Sequence, residues 1–225
     1  MPTKSLPFLS LLFLAMFCVP MLAFAAANID PTHTGLPFSS TPEEAAQTGI
    51  LALPEVVTPE TAQLLGFVSA TDASIAQVDL KSPWIVYDLS ILNTAISDPD
   101  AALQKTNVIY YPITVGGKVA SSLTVAFLQK DRAWTTTEWG SAGRIQKLTK
   151  HKQSASSIAV RVPEFNLLFV GDRANGQLML TPIKNVPQFK FVEGHQLSAQ
   201  EVLARLSLVA KTRKPTEPHT PQEPG

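Results

Sequence analysis

The sequence predicts an α+β fold in which a mainly antiparallel sheet of hairpins follows a helical lead and precedes a closing helix. The first observation is a meander: residues 108–115 are rich in β-branched and aromatic side chains, and residues 119–127 alternate between large apolar and small side chains. The glycine pair at 116–117 joins them as a two-residue hairpin turn. The second observation is an apolar stripe at helical spacing in 197–211. Helices and hairpins that are separated along the chain in this way indicate the α+β class.

The helical lead is predicted from two capping patterns. Residues 28–40 have no periodicity and are rich in Pro, Gly, Ser and Thr, which is typical of a linker. Thr41 can then cap a helix in which Glu44 closes a capping box, and we expect this helix to end before Pro54. The Thr-Pro-Glu pattern recurs at the start of 58–66 and predicts a second short helix there.

The remaining strands are predicted from apolar runs and from turns. The Asn175-Gly176 pair is the strongest short hairpin signal, because both residues tolerate positive φ. Further strands are predicted at 75–80, 84–91, 134–139, 158–162, 167–170 and 178–183, and short helices at 101–105 and 141–152. The helix predicted at 141–152 is polar and basic.

The closing helix begins with a complete start signal. Ser198 is the predicted cap, Glu201 closes a capping box, and Leu197 is expected to pack on Val202. We expect this helix to lie on one face of a curved sheet, an architecture similar to that of cystatin-like folds. Residues 41–213 are predicted to form a single domain.

The first 27 residues resemble a secretory signal peptide. Lys4 provides a positive start, residues 6–17 are almost wholly apolar, and residues 23–25 have the Ala-x-Ala pattern of a signal-peptidase site. The sequence therefore predicts a periplasmic or secreted protein, with no stable membrane insertion after cleavage. Residues 6–27 are also long enough to cross a bilayer, which takes about 20 apolar residues, so an uncleaved N-terminal membrane anchor is the alternative. No Asn-x-Ser/Thr sequon occurs, which favours a bacterial origin.

The C-terminal segment, 214–225, is predicted to be a disordered tail. Its prolines recur at every third position, at 215, 218, 221 and 224. This spacing matches the three-residue turn of polyproline II, so the tail is expected to be semi-extended. Its alternative use is as a ligand for an aromatic groove on a partner protein.

Composition excludes several classes of function. The chain has 18 basic and 18 acidic residues and therefore zero net charge, which argues against a nucleic-acid binder. The only cysteine, Cys18, lies in the signal segment, so we expect no disulfide and no thiolate chemistry in the mature protein. The four histidines show no metal-ligand spacing, so the sequence predicts neither a metal nor a cofactor.

One group of side chains is a candidate ligand-binding surface: Tyr110, Tyr111, Trp134, Glu138 and Trp139. Aromatic side chains beside the small residues of the meander would form a shallow binding floor, and a carboxylate beside tryptophans is frequent in sugar sites. The alternative interpretations are that the aromatic side chains pack under the closing helix, and that Glu138 is the outward residue of an edge strand.

These observations favour an exported, non-catalytic binding or accessory protein for an unidentified protein or small ligand. The sequence offers a credible signal segment and a complete small fold, but no nucleophile or metal motif. One alternative is a protein–protein adaptor or inhibitor that uses a sheet edge or the Pro-rich tail. Another is a secreted hydrolase in which Glu138 works with a second acid.

Overall fold

The computed structural model describes residues 36–91 and 98–212, with side chains up to residue 210. The predictions of a signal peptide at 1–27 and of a Pro-rich tail at 214–225 lie outside the described residues. Only the last five residues of the linker predicted at 28–40 are described.

The described residues form five helices and nine strands. The helices are α1 (Pro42–Val56), α2 (Ala70–Ile75), α3 (Pro99–Ala102), α4 (Ala142–Lys150) and α5 (Ala199–Thr212). The strands are β1 (Gln77–Val78), β2 (Trp84–Leu89), β3 (Leu103–Val115), β4 (Lys118–Leu128), β5 (Ala133–Gly140), β6 (Ile158–Val162), β7 (Leu167–Ala174), β8 (Gln177–Pro182) and β9 (Leu197–Ser198).

All nine strands belong to one sheet, with the order β5-β4-β3-β2-β6-β7-β8-β9 and β1 added beside β3. Every pairing is antiparallel except the one between β2 and β6 at the centre, which is parallel. The predicted α+β class with a mainly antiparallel sheet and a C-terminal helix is therefore confirmed. The sheet divides into a first unit, β2–β5 followed by α4, and a second unit, β6–β9 followed by α5.

Helices cover both faces of the sheet. We call the face that carries Val86 and Ala159 the front face, and the face that carries Tyr87 and Val160 the back face. Helix α4 packs on the front face through Ile145 and Leu148. Helices α1 and α5 pack on the back face, α1 over the β4 end and α5 over the β8 end. The sequence placed only the closing helix on a face of the sheet, so the positions of α1 on the back face and α4 on the front face are additions to that prediction.

Helix α1 starts as predicted and ends later than predicted. The Glu44 amide donates to Thr41 Oγ1 at 3.2 Å, and Glu44 Oε2 accepts from the Thr41 amide at 3.3 Å, so the capping box is present. The expected end before Pro54 is wrong, because the helix continues to Val56. Pro54 is exposed and lies in the last turn, where its missing N–H costs one hydrogen bond and the Val57 amide still reaches the Leu53 carbonyl.

Three other local predictions need correction. Residues 58–66 form successive turns, not a continuous helix. The strand predicted at 75–80 is reduced to β1, because Asp72 accepts from the Val68 and Ser69 amides and starts α2, which takes up Ile75. The helix predicted at 101–105 ends at Ala102, since the chain then enters β3.

The two predicted hairpins and the cap of the closing helix are confirmed. Gly116 and Gly117 have φ of 57° and 76°, and Asn175 and Gly176 have φ of 52° and 78°, as such turns require. The Ser198 hydroxyl accepts from the Glu201 amide at 3.2 Å. These elements bury three hydrophobic clusters, two on the back face and one on the front face.

Candidate functional site

The five residues predicted as a binding surface are divided between the two faces of the sheet. Tyr110 pairs with Thr124, which pairs with Glu138, and this row lies on the front face. Tyr111, Trp134 and Trp139 lie in the cluster on the back face with α1. The five side chains therefore do not line one surface, and their role in ligand binding stays a prediction.

The three aromatic residues on the back face make packing and hydrogen-bond contacts with α1 and its neighbours. Trp139 Nε1 donates to the Gly49 carbonyl at 3.0 Å. The Tyr111 hydroxyl lies 3.5 Å from Glu43 Oε1. Burial, and then the negative charge of Glu43, raise the pKa of Tyr111 above its ordinary value. These contacts fasten the helical lead to β3 and β5, and this is a sufficient structural reason for the aromatic side chains.

Tyr110 and Glu138 lie on the front face near α4. Tyr110 is buried, and the Arg144 guanidinium lies 5.7 Å from the centre of its ring. Glu138 contacts hydroxyl groups: its Oε2 accepts from Thr124 Oγ1 at 3.3 Å, and its Oε1 accepts from Ser141 Oγ at 3.4 Å. No carboxylate is among the described partners of Glu138.

A different group of side chains converges beside α4 on the front face. They border a cleft of about 320 Å³, which we call the basic cleft. Its lining consists of Gly143, Arg144, Lys147, Asn166, Leu168, Ile183 and Lys184. Three of these residues are cationic, two are apolar and none is acidic. The cleft therefore combines positive charge with an apolar floor.

The three cations of the basic cleft are not equally neutralised. Lys147 Nζ forms an ion pair with Glu193 Oε2 at 3.0 Å. Arg144 contacts the ring of Tyr110, and neither Arg144 nor Lys184 forms an ion pair among the described residues. Two positive charges beside the cleft therefore remain without an acidic partner in the described part of the chain.

Glu193 is the acid that pairs with the basic side chains of α4 beside the basic cleft. Hydrogen bonds from Lys147, His151 and Lys150, the first being the strongest influence, lower the pKa of Glu193 to about 2. The carboxylate therefore stays charged through the ordinary pH range and holds the segment after β8 against α4. Lys147 is oriented by this contact, so its position at the cleft is fixed in advance.

Arg161 is the next cation on the front face, and it is already engaged. Its Nε and Nη2 atoms donate to the two oxygens of Asp88 at 2.8 and 3.0 Å. Burial acts to lower the pKa of Arg161, but the hydrogen bonds that Arg161 donates to Asp88 and its electrostatic interactions with Tyr110 and Asp88 outweigh it and raise the pKa above its ordinary value. Arg161 therefore joins β2 to β6 and is not a free anion ligand.

No group of three or more His, Asp or Glu side chains among the described residues is placed to hold a metal ion. The basic character of the helix at 141–152 is visible in the sequence, but nothing there singles out Arg144 or Lys184. Lys184 lies beyond β8 and reaches the cleft only through tertiary structure, so no local pattern signals it.

No protein-family model, curated protein or solved structure is significantly similar to this chain. Within the described ranges, no helix is long and apolar enough to cross a membrane.

Proposed function

We propose that the protein is an exported, non-catalytic binding protein and that its ligand is a small organic anion held in the basic cleft. The observation that carries this proposal is the convergence of Arg144, Lys147 and Lys184 on one cleft without an acidic lining residue. The chain as a whole has zero net charge, so this positive charge is a local feature. A carboxylate or phosphate group is the natural partner of such a group of cations.

The apolar part of the cleft restricts the ligand further. Leu168 and Ile183 contribute to the front-face core and also line the cleft. An anion with an apolar body can place its charge near Arg144 and Lys184 and its body against these two side chains. A bare inorganic ion would leave the apolar lining in contact with water.

The proposal is tested by binding of a simple probe, 3-phenylpropanoate, measured by isothermal titration calorimetry on the purified protein. We expect binding that weakens as salt is added, because both free cations are exposed to screening. In the double variant Arg144→Gln/Lys184→Gln we expect affinity at least tenfold lower. Each hydrogen bond to a charged group contributes about 1.5–3 kcal/mol.

The matched control is Lys118→Gln/Lys130→Gln, which removes the same number of charges from exposed positions of β4 and the following turn. This variant should bind the probe as the unaltered protein does. Equal losses in both double variants, or no binding by the unaltered protein, would contradict the proposed anion site.

Export is supported by the N-terminal segment, in which Lys4 precedes an apolar run and residues 23–25 read Ala-Phe-Ala. We expect the protein recovered from its native host to have an intact mass that begins near Ala26 or Asn28, in the periplasmic or medium fraction. A full-length mass in the membrane fraction would instead make residues 6–27 an anchor.

The two alternative functions have weaker support. A hydrolase would need a second acid opposite Glu138, and the described partners of Glu138 are hydroxyl groups. An adaptor that pairs with the β5 edge meets an obstacle, because Thr135 and Thr136 are only 1 % exposed and Trp134 already exchanges two backbone hydrogen bonds with Ser39.

A further inference from the structure

A cavity of about 350 Å³ opens on the back face of the sheet beside the start of α1, and it shares no residue with the basic cleft. Its apolar lining consists of Ile85, Ile109, Trp134 and Pro42, the first residue of α1. Its polar lining consists of residues 105–107 of β3. We call it the Trp134 cavity.

The strand registers direct the strand residues of this cavity to one face. Tyr87 of the back face is opposite Lys105, and Ile85, two positions earlier, is opposite Ile109. Side chains alternate along a strand, so Lys105, Asn107 and Ile109 all lie on the back face. This is the face that α1 covers. The lining residues therefore face the same space from the sheet and from the start of the helix.

A bulge in β3 forms the polar side of the Trp134 cavity. Residues 105–109 of β3 lie opposite residues 85–87 of β2, so β3 has two extra residues at this point. The Thr106 hydroxyl holds the bulge, because it donates to the Val86 carbonyl at 2.8 Å and accepts from the Val108 amide at 3.2 Å. Bulges redirect side chains and are frequent beside binding sites. Thr106 is engaged within the sheet, so the polar side chains left to the cavity are those of its two neighbours.

Lys105 and Asn107 supply these polar groups. Both residues are exposed, and neither side chain forms an ion pair or a hydrogen bond with another described residue. No acidic residue lines the cavity. The Lys105 ammonium group has three donors and a positive charge, whereas the Asn107 amide both donates and accepts. The pair therefore suits a ligand that has an anionic group and neutral hydroxyl groups.

Trp134 is the largest side chain of the cavity wall. It is only partly buried, and its ring packs edge-on against Phe127 with the ring centres 5.3 Å apart. The indole of Trp139 donates to the Gly49 carbonyl, whereas the Trp134 indole has no hydrogen bond to a described residue. The face of an aromatic ring is electron-rich and attracts the weakly positive C–H groups of a saturated ring. Trp134 therefore gives the cavity an apolar platform bordered by polar groups.

From these observations we propose that the Trp134 cavity binds a uronic acid, which is a sugar ring that has a carboxylate. The C–H groups on one side of the ring contact Trp134 and Ile109. The carboxylate pairs with Lys105, and two adjacent hydroxyl groups exchange hydrogen bonds with the donor and the acceptor of the Asn107 amide. A neutral sugar leaves Lys105 without an anion, and an acid without hydroxyl groups leaves Asn107 without a partner.

The test compares three probes that have a six-membered ring: D-glucuronate, D-glucose and cyclohexanecarboxylate. Glucose lacks the carboxylate, and cyclohexanecarboxylate lacks the hydroxyl groups. Binding to the purified protein is measured by NMR titration. We expect glucuronate to bind, and each of the other two to bind more weakly by about fivefold or more, because each removes one exposed charged or polar contact.

The tryptophans provide a second readout in the same titration. The indole N–H signal of Trp134, assigned by triple-resonance NMR, should shift as glucuronate is added. The indole signal of Trp84, which is 1 % exposed and lies in the front-face cluster, should stay in place. This readout locates the sugar without any substitution.

Lys105→Gln and Asn107→Ala test the two polar contacts at exposed positions. Each should weaken glucuronate binding by about fivefold or more, and Lys105→Gln should make glucuronate and glucose bind equally well. The matched controls are Lys118→Gln, which removes an exposed charge from β4, and Gln104→Ala, which removes an exposed amide from β3. Gln104 is opposite Asp88 and therefore lies on the front face, so both controls should bind glucuronate as the unaltered protein does.

The proposal is overturned if the unaltered protein binds glucuronate no better than glucose or cyclohexanecarboxylate, or if the Trp134 signal does not shift. It is also overturned if Lys105→Gln and Asn107→Ala both keep full affinity. The double variant Arg144→Gln/Lys184→Gln should bind glucuronate normally, and a loss there would place the sugar in the basic cleft instead. Failure of 3-phenylpropanoate at the basic cleft would leave these outcomes unaffected, so the two sites are tested independently.

Discussion

At the residue scale, two helical glycines predict opposite effects of the same substitution. A Cβ on Gly49 would lie 2.3 Å from Thr136 Oγ1 and 2.6 Å from Leu123 Cδ1. It would also disturb the 2.9 Å hydrogen bond from Thr136 Oγ1 to the Ala45 carbonyl. Overpacking typically costs about 1–3 kcal/mol, which exceeds the gain of about 0.5–1 kcal/mol from alanine in a helix. Gly49→Ala should therefore destabilise the protein, as measured by urea unfolding.

Gly143 of α4 is the matched control for this substitution. A Cβ there meets no atom within 4 Å, so Gly143→Ala should raise the free energy of unfolding by about 0.5–1 kcal/mol. If both alanine variants shift stability in the same direction, the close approach of α1 to β4 and β5 at Gly49 is not as described.

A single residue also explains why the five side chains predicted as one binding surface lie on two faces of the sheet. Trp134 and Glu138 are four residues apart, and strict alternation would place both on one face. A bulge between the pairs Thr124–Glu138 and Val125–Thr136 reverses the alternation, so Trp134 lies on the back face and Glu138 on the front. No sequence pattern signals this bulge.

At the element scale, Glu193 connects the segment after β8 to α4. Because its pKa is lowered to about 2 in the folded protein against an ordinary value of 4.5, its contribution to stability is complete above about pH 4.5. That contribution is lost as pH falls from about 4.5 towards 2. We expect Glu193→Gln to lower the melting temperature at pH 7 and to lose this effect near pH 2.

The comparison for Glu193→Gln is Glu55→Gln, an exposed acid in α1 that takes part in no described ion pair. The difference in melting temperature between the two variants, followed from pH 7 to pH 2 by circular dichroism, should shrink as pH falls. A constant difference would mean that Glu193 acts through shape rather than charge.

Elements defined by neighbouring residues were the most predictable ones. The box formed by Thr41 and Glu44 and the turn at Asn175-Gly176 are encoded within four residues, and both are present. The parallel pairing of β2 with β6 was not predicted. It joins residues such as Asp88 and Arg161, which are 73 positions apart in the sequence. The basic cleft escaped prediction for the same reason, since Lys184 and Arg144 meet only after folding.

At the scale of the whole molecule, the two units repeat one arrangement of elements. Each has four consecutive antiparallel strands followed by a helix, and the first strands of the units pair in parallel. An approximate two-fold axis along the strands relates such units, because it keeps strand direction and exchanges the faces of the sheet. The positions of α4 on the front face and α5 on the back face agree with this axis. The repetition divides the sheet, but the front-face cluster contains residues of both units.

The core cluster under α4 joins the two units and predicts a single unfolding transition. Leu148 lies in this cluster with Trp84 of the first unit and Val170 of the second. Leu148→Ala should lower stability by about 2–5 kcal/mol, whereas Leu51→Ala, at a position 80 % exposed, should change it by less than about 0.5 kcal/mol.

All three tryptophans lie in the first unit, so their fluorescence reports that unit, while far-ultraviolet circular dichroism reports both. In urea the two signals should follow one curve in the unaltered protein and in Leu148→Ala. Separate midpoints would show that the second unit unfolds by itself and that the α4 cluster does not couple the units.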